Sequence, residues 1–196
     1  MRCLALFDFD GTLTFKDSLA DFIAYAVGRS RLVSGAAFLS PFLAAYALKI
    51  MDNGQAKRKV LSHFFAGWRE DVLEAAGKAY ALERLPKILR DKGIDRLYWH
   101  LDQGHDVAIV SASPEVWLRA WTENMGIGLI GTSLEVKDGR ITGNYQGRNC
   151  HGEEKVRRIK ERYPLEEYDI VYAYGDTSGD TPMLGLAHEV VYKPFR

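Results

Sequence analysis

Cysteine is scarce in this chain of 196 residues: there are two, Cys3 and Cys150, and neither belongs to a CxxC or a Cys/His cluster. That argues against a disulfide framework and makes a reducing cytoplasm the expected setting. Cys3 lies in an apolar run and reads as a small buried hydrophobe. An excess of either charge is also lacking, since 26 Lys and Arg balance 26 Asp and Glu. The basic footprint of a nucleic-acid-binding protein is therefore missing, although a local basic patch for a phosphorylated ligand is compatible with a balanced total. The N-terminus lacks the basic, apolar and small-residue zones of a signal peptide and enters a strand-like run at once. Repeats and low-complexity linkers are absent. What is present is ordinary globular composition, 47% hydrophobic and 27% charged. The length suits one domain, or a core with a modest insertion.

Cys3 to Phe7 (CLALF) is a short apolar run that ends in acidic residues and a glycine, the pattern of a buried strand leading into a loop. Asp106 to Val110 repeats the form and ends in Ser111-Ala112-Ser113. Asp169 to Tyr174 does so again, ending in Gly175-Asp176, and Glu189 to Tyr192 is a weaker fourth strand. Helical patterns lie between them, one opening at Pro114 and running to Asn124, another from Glu153 to Arg162. Alternation of strands and helices implies an α/β fold, a Rossmann-like parallel sheet covered on both faces. Ligands bind such sheets beyond the carboxyl ends of the strands. Val136 to Ile141 reads as two strand ends around an Asp-Gly turn, a β-hairpin continued by Gly143 to Gly147.

The first two strands are nearly a hundred residues apart, far more than a crossover needs. A helix over about 86–103 accounts for part of the gap. Residues 15–85, rich in Ala, Leu and Phe at helical spacing, read as a helical cap inserted after the first strand. The core is then residues 1–14 and 86–196. Within the cap, Leu32 to Leu48 has no charged residue and is interrupted by Gly35 and Pro41. The leading reading is a pair of buried cap helices, and the second is a membrane-contacting surface. A span would place the flanking parts of one compact fold on opposite sides of a bilayer, and the stretch is near the lower length limit.

The chemistry concentrates at the strand ends. Asp8 and Asp10, two residues apart at the end of the first strand, leave it on the same face. Like charges so placed are costly unless a cation or a proton relieves them, and a hard cation with oxygen ligands fits. Gly11 permits a sharp turn and close backbone approach to a ligand. Asp176 and Asp180 form a second acidic loop at the same sheet edge, and Ser111 offers a hydroxyl. Lys155 opens a helix, where the dipole does not favour a cation, which points to an anionic partner.

Four ordered motifs, DFDGT at Asp8, VSAS at Ser111, GEEKV at Lys155 and GDTSGD at Asp176, resemble those of the haloacid dehalogenase superfamily of phosphohydrolases over essentially the whole chain. The large insert after the first motif, the hairpin and the NCHGEEKV segment resemble the subgroup with a helical cap there. That subgroup includes phosphoserine-phosphatase-like enzymes and bacterial phosphatases acting on lipid phosphates such as phosphatidylglycerophosphate. The resemblance implies Mg²⁺-dependent hydrolysis of a phosphomonoester through an aspartyl-phosphate. Asp8 would be the nucleophile and Asp10 the general acid and base. Asp8, the Asp10 backbone carbonyl and Asp176 would hold Mg²⁺. Ser111 and Lys155 would bind the phosphate, Gly11 and Thr12 would complete its cradle, and Asp180 would orient Lys155 or water. An acid/base carboxylate at Asp10 favours a phosphatase or mutase over a dehalogenase or a P-type ATPase. The implied substrate is a small phosphorylated metabolite or a lipid phosphate. A phosphotransferase with the same covalent step and a non-catalytic phosphate-binding module are the rival readings.

One departure stands out. Phosphoserine-specific enzymes usually carry asparagine where this chain has Gly179, which puts phosphoserine specificity in doubt. Asp17 falls where they place an acidic residue that contacts substrate, but a helix N-cap before Ser18 explains it equally. Lys57, Arg58 and Lys59 form a run that reads as a solvated helix face, with Arg58 the candidate for an anionic part of the substrate. Ser113 reads as an N-cap. His63, Phe64, Phe65 and Trp68 read as core, His151 as a lesser candidate for substrate contact, and Trp99, Trp117 and Trp121 as aromatics without a role.

Overall fold

The computed structural model describes all residues, 1–196. Its centre is a five-stranded parallel sheet in the order β3-β2-β1-β6-β7. The strands are β1 (Cys3–Phe7), β2 (Asp106–Pro114), β3 (Gly128–Thr132), β6 (Ile170–Gly175) and β7 (Glu189–Tyr192). β1 is buried along its whole length because both faces are covered, as its unbroken apolar sequence requires. Ala5 and Phe7 point into a large cluster with Phe22, Leu97 and Trp117. Leu4 and Leu6 point the other way, into a smaller cluster with Ile159, Met183 and Leu184. The first cluster is covered by α5 (Asp91–Asp102) and α6 (Arg119–Met125), the second by α7 (Glu153–Arg162) and α8 (Thr181–Leu184).

The sheet turns direction at β1. From β1 the chain order grows through β2 and β3 on one side, while β6 and β7 lie on the other. Such a switch point opens a crevice at the carboxyl ends of the strands. Register sets what lines it: Phe7 pairs with both Ile109 and Tyr174, so the next residues of the three strands sit abreast. Stacking of the Phe7 and Tyr174 rings at 4.3 Å fixes that alignment from below.

Between β1 and α5 run four helices, α1 (Ser18–Val27), α2 (Arg29–Ala47), α3 (Asn53–Phe65) and α4 (Glu70–Glu83). The pair of buried helices expected over residues 32–48 is instead the single helix α2, in which only Gly35 and Leu39 are buried. Pro41 is carried inside it. Gly35 does not interrupt it either: a Cβ there would lie 2.3 Å from Phe64 Cζ, so the glycine lets α3 approach. No helix is long and apolar enough to cross a membrane. The hairpin forms as expected from β4 (Leu134–Lys137) and β5 (Arg140–Tyr145), with Asp138 and Gly139 both at positive φ in its two-residue turn. It docks on the inserted helices. Backbone bonds join Gly67 and Trp68 to Ile141 and Glu70 to Gly139, and Gly143 lies against Ser62 of α3.

Two boundaries differ from expectation. β3 is a fifth core strand that its two glycines hide from a pattern reading. The helix expected from Pro114 begins as a 3₁₀ turn at Glu115–Trp117 and becomes α6 only at Arg119, because β2 runs on to Pro114.

Candidate active site

The parallel register delivers Asp8, Ser111 and Asp176 to one edge of the sheet. Asp8 prolongs the ladder by donating its N–H to the Tyr174 carbonyl at 2.8 Å. Its carboxylate is buried, and Lys155 Nζ lies 2.7 Å from Oδ1. Lys155 reaches there from the first turn of α7 and is 1% exposed. Its other two protons go to Asp180 Oδ1 at 2.6 Å and the Val110 carbonyl at 2.8 Å, so the ammonium is fully engaged. Burial lowers the Lys155 basicity, but Asp8 and Asp180 outweigh it and raise the pKa well above that of an ordinary lysine. Burial pushes the Asp8 carboxyl up to about 6 against the pull of Lys155.

Asp180 is locked. Its Oδ2 accepts from the Asp176 and Thr177 backbones and from the Thr177 hydroxyl, while Oδ1 holds Lys155. Despite burial, Lys155 keeps its carboxyl below the usual range. The Thr12 hydroxyl lies 3.0 Å from Asp8 Oδ2 and 3.4 Å from Asp176 Oδ1 and joins the two loops. Gly11 has φ +86°, and a Cβ there would stand 2.6 Å from Asp176 Oδ2. The close approach of the first loop to Asp176 therefore needs glycine.

Asp8, Asp176 and Asp180 bring one carboxylate oxygen each within 4.8 Å of one another. Clustered buried carboxylate oxygens suit a hard divalent cation such as Mg²⁺. Arg196 Nη2 reaches Asp176 Oδ2 at 2.5 Å, supplying positive charge to that cluster from the end of the chain. The donor set therefore fits a cation. The Asp10 carboxylate is not part of it.

Asp10 turns toward neutral donors instead. Its Oδ1 accepts the Ser18 N–H at 2.7 Å, and its Oδ2 accepts the hydroxyls of Ser18 and Ser113 at 3.1 and 2.5 Å. Trp117 Nε1 donates to the Ser18 hydroxyl at 3.2 Å. Burial and then Asp17 raise the Asp10 pKa, while the bonds from Ser113 and Ser18 restrain the rise. The two carboxylates of DFDGT thus have different surroundings: one is ion-paired, and the other is held by hydroxyls and a backbone amide. Ser111 is buried, and its Oγ accepts the Ser113 N–H at 3.0 Å.

The structure brings together Asp8, Asp10, Gly11, Thr12, Ser111, Lys155, Asp176 and Asp180. Several residues stand elsewhere than the sequence led us to expect. Ser113 is no N-cap but a buried strand residue bonded to Asp10. Asp17 caps α1, its Oδ1 accepting the Ala20 N–H at 3.0 Å. Arg58 is exposed, and its charge acts on the Tyr145 hydroxyl. The lysine before it, Lys57, enters the site and donates to the Ala112 carbonyl at 3.1 Å. Burial lowers its pKa, against the pull of Asp10, Asp17 and Asp8. On one helix face Lys57 and Arg58 diverge by about 100°, a distinction that the charge run does not carry. Ser18 and Trp117 were missed as parts of the site, since neither belongs to a chemical motif. His151 bears on Gly179: a Cβ on the glycine would lie 2.3 Å from His151 Nε2. The imidazole occupies the room that an asparagine side chain would need.

The haloacid dehalogenase-like hydrolase family matches residues 5–185 of the chain. Protein CicA of Caulobacter vibrioides is 37% identical over 195 residues, covering 98% of this chain and 86% of that protein. Histidinol-phosphatase of Neisseria meningitidis serogroup C is 28% identical over 201 residues, covering 97% of this chain and 90% of that one. The crystal structure of a protein of unknown function from Bordetella pertussis Tohama I superimposes with a TM-score of 0.85 at 26% identity, covering 98% of this chain and 90% of that one.

Proposed function

We propose that this chain, which belongs to the haloacid dehalogenase-like hydrolase family, is a phosphomonoester hydrolase that works through an aspartyl-phosphate on Asp8. The observation that carries this reading is the contrast between Asp8 and Asp10. A nucleophile needs its charge, and Lys155 stabilises it on Asp8. A general acid must take up and release a proton, and the Asp10 carboxyl has only hydroxyls and a backbone amide in hydrogen-bond contact, with no bonded cation to hold its charge.

In the first step an Asp8 carboxylate oxygen attacks phosphorus, the bond to the ester oxygen breaks, and Asp10 passes its proton to that oxygen. In the second step the Asp10 carboxylate takes a proton from water as the water oxygen attacks phosphorus. The bond to Asp8 breaks and inorganic phosphate leaves. Ser111 and backbone N–H groups near Gly11 hold phosphoryl oxygens, and Lys155 moves part of its hydrogen bonding from Asp8 to the phosphoryl group. Mg²⁺ held by Asp8, Asp176 and the Asp10 backbone carbonyl would offset the repulsion between the anionic nucleophile and the anionic ester.

Residues 15–85 act as a cap that excludes bulk water and selects the leaving group. Lys57 supports this role, because it is the half-buried cation that the inserted helices contribute beside Asp10. The substrate class is a small phosphorylated metabolite or a lipid phosphate. Two buried free thiols suit a reducing cytoplasm.

The test is phosphate release from phosphoserine, histidinol phosphate and phosphatidylglycerophosphate, with Mg²⁺ or EDTA, by wild type and Asp8→Asn. Mg²⁺-dependent release that Asp8→Asn abolishes is the expected result. Transfer to an added alcohol with no release to water would overturn hydrolysis. Activity surviving in Asp8→Asn would overturn the covalent step.

A further inference from the structure

The side of α2 opposite Gly35 and Leu39 faces solvent. Val33 and Leu48 lie on that side, 68% and 71% exposed, and Ile50, just past the helix end, is 77% exposed. Phe38, on the flank, is 69% exposed with one ring face stacked on His63. Large apolar side chains this open, clustered on one helix, mark a surface that meets something else.

Charge identifies what it meets. From Phe22 to Met51 the chain carries three basic residues, Arg29, Arg31 and Lys49, and no acidic one. Arg29 and Arg31 lie at one end of the apolar face and Lys49 at the other, all exposed. Lys59 of α3 adds a fourth cation at the flank, its ammonium 5.1 Å from the centre of the Phe42 ring. A second copy packed face to face would set these cations against one another, with no carboxylate in the segment to pair them. An anionic bilayer satisfies both features, since it accepts apolar side chains beneath a layer of negative headgroups.

The face is also continuous with the edge of the catalytic crevice. A groove of about 680 Å³ is lined at one end by Lys16 and Asp17 and at the other by Arg29, Leu32 and Val33. Asp17 is close enough to Asp10 to raise its pKa.

We infer that the solvent-facing side of α2 is a docking surface for anionic lipid bilayers, entered by Val33, Leu48 and Ile50 and steered by Arg29, Arg31, Lys49 and Lys59. The inference stands apart from the catalytic reading and concerns where the protein sits. Its test is flotation of the intact protein with vesicles of phosphatidylcholine alone and of phosphatidylcholine with phosphatidylglycerol. Binding is expected to the anionic vesicles only, and to fall as salt is raised. Arg29→Gln/Arg31→Gln should weaken it on the order of 30-fold, as loss of two surface cations implies. Val33→Ser/Leu48→Ser changes two outward side chains, leaves the buried face of α2 intact, and should abolish flotation while circular dichroism stays unchanged. Failure to float with either vesicle would overturn the inference. So would equal binding to neutral vesicles. A concentration-dependent dimer in sedimentation velocity that the serine variant dissolves would assign the face to a second copy instead.

Discussion

Ser113 Oγ donates to Asp10 Oδ2 across 2.5 Å, joining the end of the second core strand to the carboxyl group proposed as general acid. The bond favours the ionised carboxyl, so its loss raises the Asp10 pKa. Ser113→Ala is therefore expected to move the alkaline limb of the kcat/KM profile to higher pH, because the proton persists longer. Loss of orientation should lower kcat/KM on the order of tenfold. A pH–rate profile of wild type and variant decides it. An unmoved limb would mean that Ser113 only fills space.

Gly179→Asn restores the residue usual in phosphoserine-specific enzymes but drives a side chain into His151. The single variant should raise KM with little change in kcat, since the disturbance falls on substrate contact. Gly179→Asn/His151→Ala should recover KM. Steady-state kinetics on the preferred ester would show it, and a double variant no better than the single would refute the steric account.

Arg196 competes with any cation for Asp176. Its guanidinium is half-exposed, so the contact is a weak one. Arg196→Ala is expected to tighten Mg²⁺ binding about threefold to fivefold in calorimetric titration. Weaker binding would mean that the arginine organises the site.

His100 is buried, with Nδ1 2.8 Å from His105 Nδ1 and Nε2 2.8 Å from the Tyr174 hydroxyl. Burial lowers its pKa to about 4. The unfolded chain takes up this proton near pH ~6.5, the folded one only near pH 4. Its stabilising contribution is complete above pH ~6.5 and declines as pH falls toward 4, by roughly 3 kcal/mol. Urea unfolding of wild type and His100→Gln at neutral and mildly acidic pH should show the wild type losing more stability.

The strands that carry chemistry were legible because each is an unbroken apolar run followed at once by acidic or hydroxyl residues. Cys3–Phe7 and Ile170–Gly175 announce themselves in this way. β3 did not, since Gly128 and Gly131 lack the side chains that mark a strand. They are glycine because Tyr163 and Glu115 crowd them. The mistaken reading of residues 32–48 has a related cause: apolar composition signals that a segment leaves water, not whether protein receives it. Motif residues were found, but Lys57, Ser18 and Ser113 depend on the distance between the inserted helices and the core. No local pattern encodes that distance.

The docking of the β4–β5 hairpin on α3 and α4 also changes how the inserted helices are joined to the core. Two chain crossings would suffice to attach an insertion. Here residues 134–145 are held by the inserted helices, which adds crossings near Ser133 and Gln146. The helices and the core therefore share four covalent connections. The last tether runs through Asn149, bonded to Asn53 of α3 at 3.3 Å, and on into the turn that starts α7 with Lys155. The inserted helices and the turn that places the ammonium next to Asp8 are thus one bonded run of chain, so a substitution at Asn53 should be felt at Lys155.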